Sequence, residues 1–127
     1  MSFLFNPHSG LIVVEAILEG PKGAFTLSLI LDTGARVTFV RDSVLSHAGY
    51  NPSLAAQKGW MTTASNIIQV PRLPVTRLSS LGHDRLNLLV AAHTLPPTAA
   101  FDGLLGLDFF RGHVLKIDFL AGLIDLL

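Results

Sequence analysis

The 127-residue sequence contains no cysteine, a single tryptophan, a single tyrosine and few charged residues. Without cysteine, the chain has no disulfide bond, no thiol nucleophile and no cysteine-ligated zinc site. Basic and acidic residues balance at nine each, and no block of like charge interrupts the sequence. We therefore expect neither a nucleic acid nor a membrane surface as a partner.

Hydrophobic runs long enough to span a membrane are also absent from the sequence. The apolar residues from Met1 to Phe5 lack the basic flank and the long apolar core of a signal peptide. These two absences favour a cytoplasmic protein. Half of the residues are nevertheless hydrophobic and only 14% are charged, which indicates surface that is better buried against another subunit.

Most of the chain shows the pattern of short β-strands separated by glycine and proline turns. Residues 11–18 are rich in β-branched side chains and residues 25–32 alternate along the chain, so these two segments predict a hairpin. Pro71 and Pro74 predict a break between two separate strands. Since no linker divides the chain, we expect one all-β domain spanning residues 1–127, closed into a barrel-like structure with one or two short helices.

The stretch with the clearest chemical content runs from Leu29 to Val40. An apolar strand there delivers one carboxylate, Asp32, into a turn that contains Gly34. A carboxylate among apolar neighbours loses hydration, and ionisable groups in that situation gather at functional sites. A plain polar turn between two strands is the alternative, and three residues by themselves do not decide between the two.

A second stretch, Asp102 to Phe110, repeats the plan of a short apolar strand, a glycine and a possible helix start. Asp32-Thr33-Gly34-Ala35, followed much later by Leu104-Leu105-Gly106, resembles the retroviral-type (retropepsin-like) aspartic protease family. Residues 102–127 most resemble its cellular members of the DNA-damage-inducible type. The resemblance implies a closed acid-protease β-barrel, one half-site per protomer and aspartic endopeptidase activity.

Hydrolysis of a peptide bond needs one group to take a proton from water and another to protonate the departing amine. Two adjacent carboxylates that share one proton can do both, but this chain carries Asp-Thr-Gly only once. The expected enzyme is therefore a homodimer with an Asp32 pair at its two-fold axis. Its apolar ends, residues 3–5 and 124–127, can supply paired edge strands, as the termini do in the family.

The resemblance also implies roles for the neighbours of Asp32. Thr33 would contact the partner's matching loop, and Gly34 would let the backbone approach a peptide or protein substrate. Ala35 completes the active-site loop, and Leu104-Leu105-Gly106 would support it.

A hairpin predicted at residues 59–70 corresponds to the family's flap, which covers substrate and excludes water. The flap residues expected to face substrate are Trp60, Met61, Ala64, Ser65, Asn66 and Ile67. Flap tips usually carry glycine, and Asn66 is the nearest substitute because asparagine enters left-handed backbone conformations readily. An ordinary meander hairpin is the alternative, and the missing glycine keeps open a protease-like β module that binds partners without hydrolysis.

Other chemistry finds little support in the sequence. The five histidines are scattered and show no metal-ligand spacing, so we expect no metal and no cofactor. A serine-hydrolase motif and a phosphate-binding glycine loop are both absent. Asp108 adjoins the second motif, where it can either begin a helix or belong to the surroundings of the site, and the helix start is favoured.

Overall fold

A computed structural model describes the whole chain, Met1 to Leu127, as ten β-strands and two short α-helices. The strands are β1 (Ser2–Leu4), β2 (Val13–Gly20), β3 (Gly23–Leu31), β4 (Phe39–Arg41), β5 (Gln57–Thr62), β6 (Ile67–Ser80), β7 (His83–His93), β8 (Gly103–Leu105), β9 (Leu115–Asp118) and β10 (Leu123–Leu126). The helices are α1 (Asp42–His47) and α2 (Leu107–Phe110), and a 3₁₀ turn covers Pro52–Leu54. Neither α-helix has the length or apolar character needed to cross a bilayer. The predicted all-β class is confirmed.

Six strands close into a barrel. The order around the barrel is β2, β3, β8, β4, β7 and β6, and β6 returns to β2 to complete the ring. The remaining strand of this sheet, β5, pairs with β6 outside the ring. The strand β2 pairs with β3 along its whole length but with β6 only over residues 16–19. The closed structure that the sequence predicts is confirmed.

The barrel interior is filled by apolar side chains that alternate with exposed ones along each strand. In β2 the buried positions are Val14, Ala16 and Leu18, and the residues between them face outward. Phe109 of α2 has no solvent exposure and belongs to the same core. Burying a side chain of this size stabilises the fold by about 1.5–3 kcal/mol. Helix α2 is therefore anchored to the barrel close to the end of β8.

The strand β6 is continuous over 14 residues, so the predicted break at Pro71 and Pro74 is wrong. Pro74 lies opposite Leu89 on β7 and has no N–H to donate. The Nη2 group of Arg72 donates instead to the carbonyl oxygen of Leu89, at 2.8 Å. The carbonyl keeps a partner, and the strand continues from the β5–β6 hairpin into the barrel wall.

The two ends of the chain form a separate three-stranded sheet in the order β1, β10 and β9. Phe3 of β1 lies opposite Ile124 of β10 in an antiparallel pair. Ile124 and Leu126 are buried in the main core, so this sheet packs on the barrel. The apolar ends therefore pair with one another inside a single chain.

Candidate active site

The Asp32 loop, residues 32–38, joins β3 to β4, two strands that do not pair with each other. The strand β8 lies between them, parallel to β3 and antiparallel to β4. Leu105 is in register with Leu31, and Leu104 with Phe39. The fold thus brings together two motifs that are far apart in the sequence.

Backbone hydrogen bonds hold Asp32 at the end of β3. Its N–H donates to the carbonyl oxygen of Leu105 at 3.0 Å, and its carbonyl oxygen accepts from the N–H of Ala35 at 3.2 Å. The N–H of Leu107 donates to the carbonyl oxygen of Ala35 at 2.9 Å. In the partly exposed carboxylate, Oδ1 accepts from the N–H of Gly34 at 2.8 Å, and Oδ2 accepts no hydrogen bond from the chain. One carboxylate oxygen is therefore free to meet water or substrate.

Two glycines allow close backbone contact: Gly103 of β8 with β4, and Gly106, just after β8, with the Asp32 loop. A Cβ atom on Gly103 would overlap the carbonyl oxygen of Phe39. A Cβ atom on Gly106 would lie 2.7 Å from the carbonyl group of Val37 and 2.9 Å from the carbonyl oxygen of Ala35. Side chains do not fit at such distances, so the Leu104-Leu105-Gly106 segment contacts the loop through its backbone.

A partly buried hydrogen-bond network holds the far end of the Asp32 loop. Thr38 has no solvent exposure, and its N–H donates to both carboxylate oxygens of Asp108 at 2.9 Å. The Thr38 hydroxyl donates to Oδ1 of Asp108 at 2.7 Å and accepts from the N–H of Gly106 at 3.1 Å. Three hydrogen bonds thus join Thr38 to Asp108 in the first turn of α2, and a fourth joins it to Gly106 at the N-cap.

The sequence favours Asp108 as the residue that begins helix α2, and this prediction is wrong. Helix α2 has Gly106 at its N-cap, with no side-chain capping bond. The Asp108 carboxylate binds Thr38 rather than the start of its own helix. Thr38 was not among the residues singled out from the sequence. Its position as the one polar residue in the apolar run Val37-Thr38-Phe39-Val40 could have indicated a buried hydrogen-bonding role, because buried polar groups almost always have a partner.

The tip of the Asp32 loop faces solvent. Thr33 and Gly34 are both exposed, and the Thr33 hydroxyl makes no hydrogen bond within the chain. The other carboxylate that contacts this loop, Asp108, directs its hydrogen bonds to Thr38. A single chain therefore presents one carboxylate, Asp32, at the loop tip. No cluster of three or more histidine, aspartate or glutamate side chains with metal-binding geometry occurs in the structure.

The strands β5 and β6 form a hairpin whose tip, residues 63–66, lies where the sequence predicts it. The N–H of Thr63 donates to the carbonyl oxygen of Asn66 at 2.7 Å, and the N–H of Asn66 donates to Thr63 Oγ1 at 3.1 Å. Asn66 Oδ1 accepts from the N–H of Ile67 at 2.9 Å. Asn66 does not have a positive φ, so its expected left-handed conformation is wrong, and side-chain hydrogen bonds stabilise this turn instead.

The side chains of this hairpin divide into two groups. Of the residues expected to face substrate, the exposed ones are Trp60, Ala64, Ser65, Asn66 and Ile67. Met61 and Ile68 instead pack against a small apolar cluster formed by Phe39, Val70 and Ala91. Val37 of the Asp32 loop and Leu104 of β8 pack against the same cluster. One apolar contact surface therefore joins the tip-proximal half of the hairpin to the Asp32 loop.

Comparison with known proteins identifies the family. A family model described as "gag-polyprotein putative aspartyl protease" matches residues 22–112, well over half of the chain. The chain belongs to this aspartyl protease family. A search of curated proteins finds no match to the sequence. The predicted retropepsin-like resemblance of this protease is confirmed, whereas the DNA-damage-inducible type stays a prediction.

A solved structure supports the same assignment at the level of the fold. This structure is a retropepsin-like aspartic protease from Rickettsia conorii, and its TM-score to the present protease is 0.68. The two chains are 14% identical, and the match covers 99% of this chain and 90% of the other. The fold is therefore retropepsin-like.

Proposed function

We propose that this protease is a homodimeric endopeptidase in which two copies of Asp32, one from each protomer, form the catalytic dyad. The observation that carries the proposal is the exposed tip of the Asp32 loop, which presents a single, partly exposed carboxylate. A two-carboxylate mechanism needs a second such group, and a two-fold-symmetric partner supplies it. The exposed Thr33 hydroxyl, which has no partner within the chain, fits a contact with the partner's loop.

The proposed chemistry follows from the proximity of the two carboxylates. They share one proton, because two adjacent carboxylates do not both ionise. The ionised carboxylate takes a proton from the attacking water, and the protonated one polarises the peptide carbonyl and later protonates the amine. The N–H of Gly34, which donates to Oδ1 of Asp32, fixes the orientation of each carboxylate.

We further propose that the substrates are extended peptides with hydrophobic residues beside the cleaved bond. In this proposal the β5–β6 hairpin is the flap, and Trp60 and Ile67 contact the substrate. Support comes from their exposed fractions, 65% and 61%, which leave large apolar side chains without a partner in the chain. The apolar cluster between Met61 and Ile68, close to the hairpin tip, and the Asp32 loop continues this apolar surface toward Asp32. We also propose that residues 1–127 form one domain.

The deciding experiment compares the wild-type protein with Asp32→Asn in a peptide-library digest, with and without pepstatin. We expect the substitution to abolish cleavage and to leave the circular dichroism spectrum unchanged. Asp125→Asn is the matched control, because Asp125 lies on β10 and binds only the exposed Ser2 hydroxyl. Cleavage that persists in pure Asp32→Asn protein would refute an Asp32 dyad.

A binding module without hydrolysis is the second candidate function. The observation that favours it is the hairpin tip, which carries neither glycine nor a positive φ. If the wild-type protein binds library peptides but leaves them uncut over a range of pH and protein concentration, this candidate replaces the first.

A further inference from the structure

A groove lies on the outer side of the barrel, separate from the Asp32 loop. We call it the edge groove. It is bounded by Phe3 and Leu4 of β1, by residues 13–15 of β2 and by the turn between β6 and β7 at residues 79–84. Its volume is about 440 Å³, which lies within the range of sites that bind small ligands or short peptides.

One wall of the edge groove is an unpaired edge of β2. The carbonyl oxygen of Ile12 accepts from Leu31 at 2.8 Å, so even-numbered residues of β2 direct their backbone groups toward β3. Val13 and Glu15 therefore direct theirs to the opposite edge. There β6 pairs with β2 only from Ala16 onward.

The backbone groups at this edge are almost all without partners. The Glu15 carbonyl oxygen accepts from the Ser80 hydroxyl at 2.7 Å. The N–H and carbonyl groups of Val13 and the N–H of Glu15 have no backbone partner in β6, whose pairing stops at Ser80. Three backbone groups are thus open to an added strand.

The second wall of the edge groove is the free side of β1. This strand pairs only with β10. The N–H of Phe5 donates to the carbonyl oxygen of Gly122 at 3.0 Å, so alternate residues of β1 face β10 and Leu4 directs its backbone away. The Leu4 side chain is 83% exposed, so apolar surface lies next to this free edge.

The electrostatic character of the edge groove is acidic. Glu15 and Asp84 both line it, both are exposed, and neither is in an ion pair. The imidazole of His83, which also lines it, contacts the carbonyl oxygen of Leu126 through Nε2 at 2.6 Å. Half of the residues that line the groove are apolar, with Phe3 and Leu81 among them.

We propose that the edge groove binds an extended peptide segment in which basic residues alternate with apolar ones. The segment adds to β2 as a strand, and its backbone bonds with the open groups of Val13 and Glu15. Its lysine or arginine side chains meet the carboxylates of Glu15 and Asp84. This binding site goes beyond the proposed proteolysis and does not depend on the Asp32 dyad.

The first test titrates a blocked Val-Lys-Val-Lys-Val peptide into ¹⁵N-labelled Asp32→Asn protein and follows the amide resonances. The Asp32→Asn change prevents cleavage and leaves the edge groove intact. We expect the amides of Leu4, Val13 and Glu15 to shift, and Val-Glu-Val-Glu-Val to bind at least about tenfold more weakly. Shifts confined to the Asp32 loop would mean that the peptide binds as a substrate analogue, which would overturn the proposal.

The second test uses Val13→Pro, which removes the Val13 N–H, a donor that points into the groove. The substitution breaks no hydrogen bond between β2 and β3, because this N–H faces away from β3. We expect it to weaken binding of the basic peptide by at least about tenfold. Val13→Thr is the matched control because it keeps the N–H and the branched side chain, and its affinity should stay within about twofold of the parent. Equal affinities in Val13→Pro and Val13→Thr would contradict strand addition.

A third comparison tests the charge and the competing occupant. The Glu15→Gln, Asp84→Asn double variant should bind the basic peptide about tenfold more weakly and lose most of the salt dependence. Sedimentation of Val13→Pro is measured beside the parent protein. If Val13→Pro lowers self-association and the peptide produces no shifts, the groove is an interface between copies of this chain and the proposal is wrong.

Discussion

Replacing Asp108 with alanine removes the acceptor of a fully buried N–H group, that of Thr38. The Thr38 hydroxyl loses its acceptor in the same substitution. A buried polar group without a partner costs about 1–3 kcal/mol, and the hydroxyl can reorient while the N–H cannot. Only the N–H is then left without a partner, so we expect Asp108→Ala to lower the free energy of unfolding by about 1–3 kcal/mol. For a chain of this size, the loss corresponds to a melting temperature lower by roughly 10 °C.

Urea and thermal unfolding followed by circular dichroism measure this change. The matched control is Asp125→Ala, because Asp125 also accepts from a hydroxyl, that of Ser2, but at an exposed site. We expect the control to change the free energy of unfolding by no more than about 0.5 kcal/mol. Well below the melting temperature, Asp108→Ala should also lower kcat by about tenfold, because Thr38 ends the Asp32 loop.

A double-mutant cycle separates this network from general destabilisation. Thr38→Val keeps the N–H but removes the hydroxyl, so the effects of Thr38→Val and Asp108→Ala should not add. We expect a coupling free energy of at least about 1 kcal/mol between them. If the effects are additive, or if Asp108→Ala behaves like Asp125→Ala, the proposed support of the loop is refuted.

Three further substitutions test the site. Gly106→Ala should destabilise the fold by about 1–3 kcal/mol in urea unfolding because its Cβ would meet the carbonyl group of Val37, whereas Gly10→Ala, with open space around its Cβ, should have little effect. Equal effects of the two would contradict the close contact of Gly106 with the Asp32 loop. Thr33→Val should leave stability within about 0.5 kcal/mol but weaken self-association in sedimentation, and unchanged association would exclude Thr33 from the interface. Trp60→Ala should raise KM for a hydrophobic peptide by about tenfold with little change in melting temperature, and an unchanged KM would remove Trp60 from the substrate site.

The local features of this protein were readable from the sequence because they depend on neighbouring residues. The alternation over residues 25–32 predicts the strand that ends at Asp32, since side chains alternate between faces in any strand. The β-prone segments on either side of residues 64–66 likewise predict a hairpin with its tip there. The Asp32-Thr33-Gly34-Ala35 and Leu104-Leu105-Gly106 motifs together indicate the family that the comparisons show.

Only the tertiary structure decided how these segments meet. The position of β8 between β3 and β4 depends on pairing between distant strands, and so does the contact of Asp108 with Thr38. The continuity of β6 through its prolines depends on a donor from Arg72 to the opposite strand. Secondary-structure propensity depends on a residue and its neighbours in the sequence. A buried hydrogen-bonding group instead takes its partner from whichever segment the fold brings near it, and that segment can be distant in the sequence.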